Sequence, residues 1–341
     1  MPIFPEASGS AAAIASFDAG FLINSAWQVE LRSTLFGACD TESPYPIVDF
    51  LDGFGVPDTR NDDQPIPQEH GLVPSPQFLG GRNMTVGVAV QGDDEGEVVQ
   101  RSADLMRAWS PVRDYLDGAV TIPLCFTLDG SITYRVIGKP LRAKLGYATL
   151  LRTRKATQPF NDAALCEFLA TDPRIYSNDL NAVSISSGVT TGGFPLPDGF
   201  SGPPFPAVAT RFGFAWPQGF GSSYPATVNA TNAGNFPTYP VFKAQASGAG
   251  VINSPITIAN VTTGRVMSFY ISLAAGDYLE IDCGARTALL NGDPNQSRIT
   301  TYDFKNSDWL ALEEGNNQIS WFLGSGSTGF LTVEWRDAWM L

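Results

Sequence analysis

Phe236-Pro-Thr-Tyr-Pro-Val-Phe242, Ile256-Thr-Ile-Ala-Asn-Val-Thr-Thr-Gly264, Gly276-Asp-Tyr-Leu-Glu-Ile-Asp-Cys283, Gly315-Asn-Asn-Gln-Ile-Ser-Trp-Phe322 and Leu331-Thr-Val-Glu-Trp335 follow one another toward the end of the sequence. Each is short, alternates apolar with polar residues, and is set off from the next by Gly, Asn or Asp. A period of two sends one set of side chains into a core and the other into solvent. Several such strands at turn-marked spacing read as a β-sandwich, so residues 236–341 are expected to fold as one on their own.

Immediately before them, residues 186–235 change character. They hold Phe194, Phe200, Phe205, Phe212, Phe214 and Phe220 with Gly192-Gly193 and Pro203-Pro204, and almost no charge. A solvated linker would leave roughly 1.5–3 kcal/mol of burial unrealised at each phenylalanine. The segment therefore reads as a Gly/Pro/Phe-rich arm or linker that packs on something, either its own chain or a neighbouring subunit. Its six phenylalanines are candidate subunit-interface residues.

Residues 1–185 read as a first, β-rich unit. Phe21–Leu31, Met84–Val90, Gly118–Leu128, Ile132–Ile137, Leu141–Leu151 and Ala164–Ala170 are strand candidates, and Asp129-Gly130-Ser131 is a hairpin turn. The proline-rich stretch 40–80 reads as loop. One helix stands among the strands. Asp94-Glu-Gly-Glu97 has the form of a capping box, and Val98, Leu105, Met106, Trp109, Val112 and Leu116 follow at helical spacing. A single amphipathic helix among strands must lie on a sheet.

The composition narrows the function. The 341 residues suit two domains, and an apolar content of 43% supports packed cores. Charged residues are only 16% and the net charge is −13, which opposes stable binding to nucleic acid or to an anionic membrane surface. No run approaches the roughly 20 apolar residues of a membrane-spanning helix, and residues 1–20 lack the basic start of a secretory signal. Cys39, Cys125, Cys166 and Cys283 are scattered without a CxxC, as reduced core thiols of a protein assembled in cytoplasm would be. Without a secretory route the sequons at Asn83, Asn229, Asn260 and Asn295 carry no weight.

Little here points to catalysis. His70 is the sole histidine, and no GxSxG accompanies it. Gly324-Ser-Gly-Ser-Thr-Gly329 matches GxGxxG, but strands flank it on both sides where a dinucleotide site needs a following helix, so it reads as a hairpin loop. Glu280 and Asp282 share one strand face and read as solvated. Trp309, Trp321, Trp335 and Trp339 are mostly core material, with Trp309 and Trp335 as candidates for stacking on sugar rings. No cofactor and no metal are expected.

The order Tyr239-Pro-Val-Phe242, Ile258-Ala-Asn-Val-Thr-Thr-Gly264, Leu289-Leu-Asn-Gly292 and Gly315-Asn-Asn-Gln-Ile319 resembles the C-terminal, galectin-like domain of the distal tail proteins of long-tailed bacteriophages. Gly80-Gly-Arg82 with its following strand, and Leu169-Ala-Thr-Asp-Pro-Arg-Ile-Tyr176, resemble that family's ring-forming domain. The resemblance implies a mainly β protein with three parts. Residues 1–185 would be a sandwich-like ring domain carrying one packed helix, 186–235 an arm, and 236–341 a galectin-like, jelly-roll sandwich. It implies a structural, non-enzymatic part of the virion tail tip, assembled in the host cytoplasm as a homo-hexamer. Its partners would be the tail tube protein, the tape measure protein and receptor-binding tail proteins, with DNA traversing the lumen unbound. A carbohydrate-binding module that attaches the virion to the host wall is the alternative. A hydrolase is a third reading, which the lone His70 opposes.

Overall fold

A computed structural model describes residues 20, 22–37, 43–61, 63–66, 70, 72–111, 121–145, 164–187 and 226–340. The elements run β1 (Gln28–Leu31), β2 (Thr34–Phe36), β3 (Ile47–Asp52), β4 (Thr59–Arg60), β5 (Gln64–Pro65), β6 (Leu72–Val73), β7 (Phe78–Leu79), β8 (Arg82–Val88), α1 (Glu95–Ala108), β9 (Ile122–Thr127), β10 (Thr133–Lys144), β11 (Ala164–Ala170), β12 (Ile175–Ser177) and β13 (Asn181–Ser186). They continue with β14 (Ala226–Asn232), β15 (Val241–Ala246), β16 (Ile256–Asn260), β17 (Arg265–Phe269), β18 (Tyr278–Asp282), β19 (Thr287–Leu290), a single 3-10 turn (Ile299–Thr301), β20 (Gly315–Leu323), β21 (Gly329–Trp335) and β22 (Ala338–Trp339).

The first domain is one antiparallel sheet ordered β2-β1-β9-β10-β11-β8-β3, with β12 added on β10 and β22 on β12. Gly37 forms a parallel bridge to Pro46, and the Ile47 N–H donates to the Gly37 carbonyl, so the two ends of the order meet. Closure removes the open edges that would otherwise template pairing with other chains. The β9–β10 hairpin turns at Gly130, whose φ of +81° is a conformation that glycine adopts without strain.

α1 covers this sheet for reasons legible in its sequence. The Asp94 carboxylate accepts from the Glu97 N–H at 2.8 Å, and Glu97 reaches back to the Asp93 N–H at 2.6 Å. Val98, Ser102, Leu105 and Ala108 form the buried stripe, while Met106 turns outward. At the far end the Arg32 guanidinium donates to the Ala108 carbonyl at 2.8 Å and the Ser110 carbonyl at 3.0 Å, satisfying groups a helix leaves unpaired. Trp109 then seals the core against Phe36 and Phe168. Val112 and Leu116 lie outside the described residues.

The second domain packs a five-stranded sheet, β13-β21-β15-β18-β19, on a four-stranded sheet, β14-β20-β16-β17. Phe242, Ile258, Phe269, Leu279, Ile281, Trp321, Leu331 and Val333 fill the space between them. The GxGxxG match is the β20–β21 hairpin loop, as its flanking strands required. Two strands come from outside the expected 236–341 span. All six residues of β13 pair with β21, so a boundary after residue 185 cuts through that strand. β14 pairs with β20 along Ala226–Asn232, inside the segment read as an arm. Both are polar on their outer face and so carry a weak apolar signal.

The stretch 40–80 is more ordered than its prolines indicated. β3 closes the sheet, and β4–β7 with β5–β6 build a hairpin. Among the described residues Pro46 precedes β3, Pro65 ends β5 and Pro74 follows β6, positions at strand ends where no ladder N–H is needed.

Candidate functional site

The six phenylalanines of the expected subunit interface, Phe194, Phe200, Phe205, Phe212, Phe214 and Phe220, lie outside the described residues. Of the two candidate sugar-stacking residues, Trp335 is closed to a ligand. It is 5% exposed within the sandwich core, and its indole N–H donates to the Thr231 carbonyl at 3.1 Å and to Asp337 at 3.2 Å. Placed at the end of a core strand, it faces inward by the same alternation that buries Leu331 and Val333.

Trp309 is half-buried and belongs to an aromatic ridge. Its ring stacks on Tyr302 at 4.8 Å with an interplanar angle of 16°, and meets Phe269 edge-on. Phe304 stands edge-on to Tyr302 at 4.9 Å and is 69% exposed. Nearby, exposed Tyr270 donates its hydroxyl to Asp303 at 3.3 Å. Burial, with the Asp308 carboxylate second, pushes the Tyr302 phenol up to about 12. Phe304 and Tyr270 were not picked out from the sequence. The residues 301–308 pair along the edge of β17, through Asp303 N to Ser268 O and Asp308 N to Val266 O, and only that pairing brings the rings together.

Asp282 is also not the solvated residue its strand suggested. It is buried and accepts from the Gly284 and Ala285 N–H groups at 2.8 Å each, shaping the turn after β18. Glu280 is half-buried near the Lys243–Glu334 pair. Desolvation raises its pKa, against the lowering influence of Lys243.

The hairpin of β4 to β7 is a second exposed feature. Among the described residues its strands pair only with one another. Between the two ladders the Asp63 carboxylate accepts from the Ser75 N–H at 2.7 Å, the Ser75 hydroxyl at 3.1 Å and the Asn61 amide at 3.0 Å, which holds its pKa low. Val56, Val73 and Phe78 on and beside this hairpin are 73%, 55% and 62% exposed. His70 is exposed at its tip.

Among the described residues no three His, Cys, Asp or Glu side chains converge as a metal set, and no helix is long and apolar enough to cross a membrane. Cys125, Cys166 and Cys283 are free and buried.

Among the described residues the chain is a closed, helix-covered β domain followed by a β-sandwich, with exposed apolar side chains at Val56, Val73, Phe78 and Phe304. Residues 233–339 match the family described as siphovirus-type tail component, C-terminal domain. The matched residues are those of the C-terminal domain, the part of the chain where the sequence resemblance is strongest. The crystal structure of the phage SPP1 Dit protein (gp 19.1), described as a paradigm of the hub adsorption apparatus of phages infecting Gram-positive hosts, shares the fold. It aligns with a TM-score of 0.55 at 14% identity over 92% of this chain and 98% of that one. Two structures of the phage P2 baseplate in its activated conformation, with Ca and with Sr, align at a TM-score of 0.40, with 9% and 11% identity, over 90% of this chain and 97% of theirs. No curated protein sequence matches the chain.

Proposed function

We infer that this protein is a distal tail subunit of a long-tailed phage, a structural hub joining the tail tube to the host-recognition apparatus. The observation that carries this is the tail-component match over residues 233–339, on a fold that aligns across nearly the whole chain with a hub protein. In this reading the first domain forms a closed ring, most simply a homo-hexamer, because heterologous contacts that close generate rings. The hairpin of β4 to β7, with exposed Val73 and Phe78, supplies apolar surface for such a contact. The tail tube and tape measure proteins would meet the ring, and receptor-binding proteins the sandwich. The subunits would assemble in the host cytoplasm, and no catalytic activity is expected.

Native mass measurement tests the ring. A species six times the 36.5 kDa chain is expected. A protein that stays monomeric at high concentration, and in the presence of tail-tube ends, would overturn it. The ridge of Trp309, Phe304 and Tyr270 favours a second reading, in which the sandwich docks host wall polysaccharide by stacking sugar rings. Retention of the protein on purified host wall polysaccharide, abolished by Phe304→Ala, is the result that reading requires.

A further inference from the structure

The two domains are joined twice. The chain passes from β12 to β13 through residues 178–180, and it returns from β21 to β22 through residues 336 and 337. The two crossings lie side by side. The Ser177 N–H donates to the Asp337 carbonyl at 2.9 Å, and the Asp337 N–H donates to the Ser177 hydroxyl at 3.1 Å. The Arg336 guanidinium donates to the Ser177 carbonyl at 3.3 Å and also to the Asn178 carbonyl.

Beyond the crossing, residues 338–340 are bonded on both sides. Toward the first domain, β22 pairs with β12 in the register Ile175 to Trp339 and Tyr176 to Ala338. The Trp339 ring stands edge-on to Tyr134 at 5.3 Å. The Met340 sulfur lies 3.3 Å from an Arg82 guanidinium nitrogen, whose side chain is fixed in turn by the Pro173 and Gly53 carbonyls. Toward the sandwich, the Ala338 carbonyl accepts from the Phe236 N–H at 3.1 Å. The Ala338 N–H donates to the Asn232 side chain at 3.2 Å, and the Met340 N–H to the Asn235 side chain at 2.7 Å. Arg174 of the first domain adds a cation over the rings of Tyr239, at 4.5 Å, and Phe236, at 5.6 Å.

We propose that residues 336–340 are a latch that fixes the sandwich in one orientation on the first domain, and that unseating it lets the domains swing about residues 178–180. A short strand hydrogen-bonded to two bodies at once resists their rotation. Residues 178–180 alone form a single short connection, of the kind that allows relative domain motion by default. β22 is two residues long, lies at the margin of the first sheet, and contributes no member to either hydrophobic core cluster. In a tail-tip assembly such a latch would make the sandwich and the ring domain respond to force as one body.

The test is a distance distribution between spin labels at Gln100→Cys on α1 and Arg265→Cys on β17, both exposed. The background carries Cys39→Ser, and labelled protein is diluted into unlabelled protein so that each distance lies within one chain. Two variants unseat the latch. Trp339→Ala with Met340→Ala removes its anchors. Gly234→Val places a side chain where any Cβ would overlap the Ala338 carbonyl. The parent should give one narrow distance. Both variants should lose it while the far-ultraviolet spectra and cooperative urea unfolding keep their native form. An unchanged narrow distance in the variants overturns the proposal, as does a broad distribution in the parent. Should these changes prevent folding, Asn235→Ala, which deletes two latch hydrogen bonds from an exposed side chain, decides by the same criterion.

Discussion

Three fully buried asparagines tie the sandwich together. Asn260 donates to the Ala311 carbonyl at 3.0 Å and to Asn317 at 3.1 Å, while its oxygen accepts from the Thr262 N–H at 3.1 Å. Asn317 also donates to the Glu313 and Gly315 carbonyls and accepts from the Glu313 N–H. Asn232 uses both ends of its amide, on Gly234, Phe236, Leu312 and Ala338. Removing one partner strands several buried polar groups, so Asn260→Leu should lower stability by about 2–4 kcal/mol in urea unfolding. A loss below about 0.5 kcal/mol would show that water replaces the amide. The thiols give a pH prediction. Burial pushes Cys125 up to about 11 and Cys166 up to about 12. Below the ordinary thiol range both states keep their protons and nothing changes. Above about pH 9 the unfolded chain loses them and the folded one does not, so stability falls as pH rises toward the folded values. The urea midpoint should therefore drop between neutral pH and about pH 10, and a Cys125→Ser, Cys166→Ala variant should drop less. The sequence placed these cysteines in the core, because a scattered thiol behaves as a small apolar group. It could not place the asparagines there. Asn is usually a surface residue, and Asn260-Val-Thr262 reads equally well as a sequon or a strand end.

The elements best read from sequence were those whose signal is local. β11 falls on Ala164–Ala170 as its alternation indicated, and α1 starts at its capping box. Asp94→Ala should cost about 1 kcal/mol, seen as a lower melting temperature; an unchanged value would mean that Glu97 and the Asp93 N–H carry the helix start alone. Elements held by long-range pairing were not legible. β13 has the exposed pattern of Asn181-Ala-Val-Ser-Ile-Ser186 and is a strand only because β21, about 150 residues later, pairs with it. Its Ser184 hydroxyl meets that of Thr332 at 3.0 Å across the ladder. β14 is hidden in the same way by Gly- and Pro-rich neighbours. The sandwich should consequently not fold from residues 236–341, which leave β20 and β21 without their outer partners. A fragment of residues 179–341 should unfold cooperatively in urea, and one of residues 236–341 should not. Cooperative unfolding of the shorter fragment would mean that β13 and β14 are dispensable trimming.

At the scale of the whole molecule, charge decides how a ring of these chains treats DNA. Each chain carries −13, and a hexamer six times that. The chain has 21 basic residues, yet several of its arginines are already committed internally. Arg32 caps α1, Arg82 holds Pro173 and Gly53, Arg135 donates to Asn178, and Arg336 spans the domain crossing. Arg142 is paired with Glu167, and Arg174 is held by Asp172 beneath two aromatic rings. Phosphate binding needs Lys or Arg free to displace counterions, and its affinity falls steeply with salt in proportion to the number of such contacts. With these arginines spent on carbonyls and carboxylates, and acidic residues in excess, the assembled protein should not retain duplex DNA even at low ionic strength, where attraction would be greatest. If acidic residues line the passage of such a ring, a genome would move through it without adhering. Filter retention of duplex DNA by the purified oligomer, measured at low salt and again near physiological salt, checks the point. Binding that is tight at low salt and collapses as salt is raised would place a basic surface on the lumen and overturn the prediction.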